Sequence, residues 1–312
     1  MKRNPSIELY RVGLMFGICL LHSITFGPYK CGWASNILAS CVVGFVFISG
    51  WFGVKFSWLK LAKLYGIGLY AALVFGLLSW LVGDVDTFCG ALMLGWHKLT
   101  HGFWFLHAYA FMIMLSPAIN ALICGGGGGK IIPIYPLLGL VWIWGFGRTL
   151  PYGSEILPAT AGLDSYGGVT LTAVYAAARW CSVNKIEEKI KAGWLFAALP
   201  VLWFLTGIGL GDYNSPFAFA LAGVMFLFSL KVKVPMLLCR SVNFLAPSMF
   251  SVYLIHTNEV GARFIKYIET LVIANIFDCP AIAVFVSAII VLICATLLDI
   301  PRRFCMARFI RN

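Results

Sequence analysis

The chain has 312 residues, of which 61% are hydrophobic and only 11% charged, where soluble globular domains carry roughly 25% charged residues. A surface so poor in charge excludes a soluble globule, and apolar stretches recurring from Ile7 to Ile300 exclude a single tail anchor. The net charge of +11 does not point to nucleic acid, because the basic residues are dispersed between apolar runs rather than gathered in one patch.

The class these facts define is all-α: a polytopic integral membrane helical bundle, read as a single membrane-embedded domain over residues 1–312. The ten cysteines share no metal-ligand spacing, so neither a zinc site nor a disulfide framework is expected. At the N-terminus, Glu8, Arg11 and His22 interrupt the apolar run and no small-residue cleavage site follows, which reads as a retained first helix.

A membrane-spanning helix needs about 20 mostly apolar residues. Ten stretches qualify in chain order: 7–27, 36–54, 64–83, 103–124, 131–147, 166–183, 192–210, 213–230, 242–262 and 279–300. The fifth and eighth are the shortest. Seventeen of the 23 lysines and arginines lie on one side of this arrangement and five on the other, with Arg11 inside the first span. Positive residues mark the cytoplasmic side, so both termini are expected there. The longest loops on the outer side are then 84–102, 148–165 and 263–278, and the first holds an apolar stretch, Phe88 to Trp96, able to dip back into the membrane. Gly125 to Gly129 before Lys130 resembles a phosphate loop only superficially, since Cys124 and Ile131 break the GxxxxGK[ST] pattern. A turn is the simpler reading.

Ionisable groups inside a membrane need a reason, because each costs about 2.5–3.5 kcal/mol at mid-bilayer. The first span carries three of them. Arg11 and His22 are eleven residues apart, which at roughly 100° per residue places them about 20° apart around a helix, and about 16 Å apart along it. Glu8 and Arg11 form an i,i+3 step close enough to pair. All three share one stripe. A structural reading has Glu8 and Arg11 neutralising each other near the interface, with His22 bonded to a neighbouring helix. The chemical reading makes His22 a general base, since imidazole titrates near neutrality.

Other polar groups are less specific. His97 and His101 stand four apart without a third ligand at zinc-site spacing, so no metal is expected. The ninth span ends in the polar run Ser251 to Glu259. Asp212-Tyr213-Asn214-Ser215-Pro216 reads as a turn with an N-cap and a first-turn proline.

Taken together, these segments resemble the acyltransferase 3 family of bacterial membrane acyltransferases, particularly its polysaccharide-modifying members. Arg11 followed by His22 is similar to the family's R-x10-H signature, and Phe47-Ile48-Ser49-Gly50-Trp51-Phe52 to its F-x-I-S-G segment. Trp104-Phe105-Leu106, Ser116-Pro117-Ala118-Ile119-Asn120, Asn214-Ser215-Pro216 and Tyr253-Leu254-Ile255-His256 follow in the family's order. One departure stands out: where the family often carries RxxR at the third span, this chain has Lys60-x-x-Lys63. Lysine meets phosphate as a point charge, without bidentate geometry.

The resemblance implies a multi-pass enzyme of the bacterial inner membrane that is an O-acyltransferase, usually an O-acetyltransferase. It would move an acyl group from cytoplasmic acyl-CoA, as co-substrate, to a hydroxyl of a cell-surface polysaccharide or its lipid-linked precursor. No bound cofactor is expected. His22 would be general base or transient acyl carrier, with Arg11 and Glu8 beside it. Lys60 and Lys63 would meet the donor, and Trp104, Asn214 and His256 would line the acceptor side. The alternative is a secondary transporter or lipid-linked glycan flippase using the same Glu8, Arg11 and His22 stripe for proton coupling; no matching halves support it. A haem held by His22 and His256 is a third reading.

Overall fold

The computed structural model describes residues 4–124, 167–209, 215–276 and 279–311, and every regular element among them is helical. In chain order these are α1 (Pro5–Phe26), α2 (Gly32–Phe52), α3 (Trp58–Leu81), α4 (Phe88–His97), a π-helical turn (Lys98–Gly102) and α5 (Trp104–Cys124). After the residues not described come α6 (Gly168–Val183), α7 (Ile186–Lys189), α8 (Ala192–Gly207), α9 (Pro216–Ser229), α10 (Met236–Leu245), a 3₁₀ turn (Ala246–Ser248), α11 (Met249–His256), α12 (Glu259–Asn275) and α13 (Pro280–Arg311).

Among the described residues six helical stretches are long and apolar enough to cross a membrane: Pro5–Phe26, Gly32–Phe52, Trp58–Leu81, Trp104–Cys124, Met236–His256 and Pro280–Met306. They fall on the first four, the ninth and the tenth of the expected spans. The seventh and eighth are seen as shorter apolar helices, α8 with 16 residues and α9 with 14. The fifth expected span, the loop 148–165 and the glycine run 125–129 lie outside the described residues.

The ninth span differs from its expected bounds. Instead of running through 242–262, the helix stops at His256 and a new one starts at Glu259. Thr257 Oγ1 donates to the Tyr253 carbonyl, 2.8 Å away. Asn258, in extended backbone, then caps α12 by accepting from the Gly261 N–H at 2.8 Å. A cap satisfies N–H groups that a continuous helix would have bonded itself, so the chain breaks here. The segment 263–278, expected as a loop, is helical through Asn275. Within the loop 84–102, Phe88 to Trp96 also forms a helix, capped by Thr87, which accepts from the Gly90 N–H.

The helices group into two compact units. One comprises Met1–Tyr10, Gly32–Leu61 and Phe105–Val234, with α2 packed against α6, α8 and α9. Several of the recognised motif fragments are structural here. Gly50 lies so close to α6 that a Cβ would stand 2.8 Å from the Ala178 Cβ, which only glycine tolerates. Ser49 and Tyr109 share a hydrogen bond of 2.7 Å. Asn120 donates to the Val54 carbonyl at 3.2 Å and accepts from the Tyr175 hydroxyl at 3.0 Å. Ser215 caps α9, with Pro216 in its first turn, as the turn chemistry leads one to expect.

The other unit comprises Arg11–Cys31, Ala62–Trp104 and Pro235–Asn312. Here α13 packs along α11 and α12, and the Tyr70 hydroxyl of α3 donates to the Leu298 carbonyl of α13 at 2.5 Å. Gly76 of α3 lies against Ala91 of α4, and Gly95 of α4 against Ala72 of α3, the small-residue contact by which apolar helices approach closely. Within α13 the buried Asp299 receives both Arg302 contacts, at 2.6 and 2.8 Å, so neither charge is left unpaired in an apolar setting.

Candidate active site

The second unit joins two residues separated by 234 positions. His22, on α1, and His256, the last residue of α11, are bonded through His22 Nδ1 and His256 Nε2 at 2.8 Å. His256 Nδ1 lies 2.6 Å from the Val252 carbonyl oxygen. A carbonyl only accepts, so Nδ1 of His256 carries the hydrogen and, in the neutral ring, its Nε2 carries the lone pair. That lone pair accepts from His22 Nδ1–H. The remaining nitrogen of His22, Nε2, is therefore unprotonated and basic.

The surroundings hold the ring in place. His22 stacks on Phe26, with centroids 5.2 Å apart and planes 16° from parallel, and Tyr253 lies at 6.2 Å. His256 is buried, at 3% exposure, whereas His22 is half-buried. The imidazole that presents the free lone pair is thus the more accessible of the two. Chemically this is a base whose tautomer is set by a second, buried group, the division of labour found in nucleophile–base–orienter arrays.

A neighbouring polar cluster escaped the sequence reading. The Ser287 hydroxyl lies 2.9 Å from that of Ser23, the residue after His22, and 3.2 Å from Glu269 Oε1. Glu269 is fully buried and its Oε2 has no hydrogen-bond partner among the described residues. Burial pushes its carboxyl above the ordinary value, with the Ser287 hydrogen bond and Lys30 opposing. Glu269 falls within the segment 263–278, expected as a loop. The signal that would have found it is the spacing of Ile265, Ile268 and Val272, which line the buried face of α12 with it.

Replacing Glu269 by Gln is expected to raise thermal stability near neutral pH. With a folded-state pKa above the ordinary 4.5, the folded chain binds more protons than the unfolded one between those values. Wild-type stability therefore falls as pH rises through that window, and the variant's does not. Unfolding curves in detergent between about pH 4 and pH 8 measure the difference; identical pH profiles would refute the assignment.

The other expected site residues fall as follows. Glu8 and Arg11 lie with His22 on the continuous helix α1, so the one-stripe geometry holds; Glu8 is buried and Arg11 half-buried. Lys60 and Lys63 stand in the first turns of α3, and Lys60 Nζ donates to the Lys55 carbonyl at 2.8 Å. Trp104 opens α5 and is half-buried. Asn214 lies outside the described residues.

A family model described as an acyltransferase domain matches residues 4–299. The chain therefore belongs to the acyltransferase 3 family. It is a multi-pass membrane acyltransferase, and the transporter reading gives way to that membership. No curated protein and no solved structure matches the chain.

Proposed function

We propose that the protein is an O-acyltransferase, in the first instance an O-acetyltransferase, that takes its acyl group from cytoplasmic acyl-CoA. The acceptor is a hydroxyl of a cell-surface polysaccharide or its lipid-linked precursor, and the setting is the bacterial inner membrane with both termini inside. The observation that carries this reading is the hydrogen-bonded chain from the Val252 carbonyl through His256 to His22, which leaves His22 Nε2 as a base.

In the reaction, His22 Nε2 takes the proton of the acceptor hydroxyl as its oxygen attacks the thioester carbonyl. The new C–O bond forms, the C–S bond breaks, and the imidazolium returns the proton to the departing thiolate of coenzyme A. His256 favours this step by accepting the Nδ1–H of the ring, so that it reacts in one tautomer. Arg11, Lys60 and Lys63 supply positive charge for the phosphates of the donor, and Glu8 offsets the charge of Arg11.

Membranes incubated with labelled acetyl-CoA and glycan fractions test the proposal. Label should enter a glycan fraction from wild-type membranes and stay out of it when His22 is replaced. Label appearing only in lipid or protein would overturn the acceptor class. For the donor site, replacing Lys60 and Lys63 together by Ala is expected to raise the KM for acyl-CoA several-fold while that for the acceptor stays unchanged. An unchanged KM for the thioester removes the pair from the donor site.

A further inference from the structure

His22 lies just ahead of the last turn of α1, and its bond to His256 holds one edge of the ring. The helix beneath the ring has a separate anchor. Ser23, the next residue, Ser287 of α13 and Glu269 of α12 are all fully buried. Their side chains form a row, Ser23 to Ser287 at 2.9 Å and Ser287 to Glu269 Oε1 at 3.2 Å. All three belong to the same compact unit as the histidine pair.

The second oxygen of the carboxyl reaches the same turn of chain. A Cβ built on Gly27 would collide with Glu269 Oε2, so the carboxyl lies directly on the backbone there, an approach that only glycine allows. The Gly27 N–H donates to the Ser23 carbonyl at 2.8 Å, so both points that Glu269 reaches belong to one hydrogen-bonded turn. That turn also carries Phe26, whose ring stacks on His22. Ser23 and His22, as neighbours on a helix, point about 100° apart. The anchor and the His22–His256 bond therefore act on different faces of α1, and together they fix its rotation as well as its depth. The row is sealed from water, so a hydroxyl that lost its partner there would find no other, and the arrangement resists distortion. Such stiffness matters to a base, which must stand about 2.6–3.2 Å from the proton it takes.

We infer that Glu269 is a positioning residue for His22: through Ser287 and Ser23, and by its contact with Gly27, it sets the α1 turn that presents the imidazole. The inference rests on the proposed role of His22 as the base of acyl transfer and adds what holds that base in place. Glu269 acts on the backbone and not on substrate, so its loss changes the rate of the chemical step rather than the binding of the donor.

The test uses the full-length protein in detergent and four variants: Glu269→Leu, Glu269→Gln, Ser23→Ala and the double variant Ser23→Ala/Glu269→Leu. Leu fills the space of Glu but accepts no hydrogen bond, whereas Gln keeps a side-chain oxygen for Ser287. Glu269→Leu should lower kcat about tenfold to 100-fold, the effect of a misplacement of up to about 1 Å, with the KM for acyl-CoA near wild type. Gln should restore most of that loss. Ser23→Ala removes a single hydroxyl and should lower kcat to a similar degree, so the test does not depend on the Leu variant folding. The double variant should be little slower than either single one, because both break the same row. Nitrogen NMR of isotope-labelled histidine reads the ring without turnover. The His22 signal, assigned by its absence in His22→Ala, should shift or broaden in the Leu and Ala variants and match wild type in the Gln variant. Equal rates for Leu and Gln, losses that multiply in the double variant, or a His22 signal unmoved by Leu overturn the positioning role. A wild type that transfers acyl groups while those variants behave alike keeps the transfer and loses the role of Glu269. One that moves no acyl group, yet whose His22 signal depends on Glu269, keeps the anchor and loses the transfer.

Discussion

His22→Ala is expected to lower the turnover of acyl transfer by about 10²–10⁴-fold, the range that a positioned general base contributes. Thermal stability should fall by about 1–3 kcal/mol at most, because the buried His256 Nε2 is left without its hydrogen-bond donor. The loss belongs in kcat: the imidazole acts on a proton in flight rather than on the bound ground state, so KM values for thioester and acceptor should stay near wild type. Initial rates with purified variant protein decide it. Transfer within a few-fold of wild type would place the chemistry elsewhere.

His256 carries the second large effect, and it is a positioning residue. His256→Leu removes the acceptor for His22 Nδ1–H and frees the His22 ring to hold its proton on either nitrogen. A fall in kcat of roughly 10- to 100-fold is expected, matching the 1–3 kcal/mol of an unsatisfied buried partner. His256→Gln keeps a side-chain oxygen that can accept the same hydrogen bond and should restore much of the rate. Packing alone would not reproduce that order, since Leu fills the apolar surroundings as well as Gln does. Equal rates in the two variants would assign His256 to packing.

The contrast between these two histidines shows where sequence reading reaches and where it stops. The stripe of Glu8, Arg11 and His22 was legible because an α-helix repeats every 3.6 residues, and α1 is continuous through all three. His256 was also singled out, but on the acceptor side. Its bond to His22 spans 234 positions, and no periodicity within a helix carries information over that separation. The break after His256 was legible in principle. Asn258 followed by Glu259 is a helix-start signature, but the apolar length on either side outweighed it. Glu269, within the expected loop 263–278, was not legible for a related reason: α12 is too polar to read as a span, and its buried stripe emerges only once α12 is seen packed along α13.

The motif fragments divide in the same way. Ser49, Gly50 and Asn120 were noticed as marks of resemblance, and their work in the structure is to join helices of one unit. What they touch depends on Tyr109, Tyr175 and Val54, residues that no motif included.

The amino-acid order alone determined that this is a helical membrane protein, which stretches are apolar enough to lie in lipid, and which imidazole shares a face with Arg11. Those properties are set by composition and by the local repeat of the helix. Only the tertiary structure decided which nitrogen of His22 is free and which carboxylate is buried beside Ser23. Hydrogen-bond direction and burial arise from neighbours brought together across the chain, and a proton's position follows from the partner facing it.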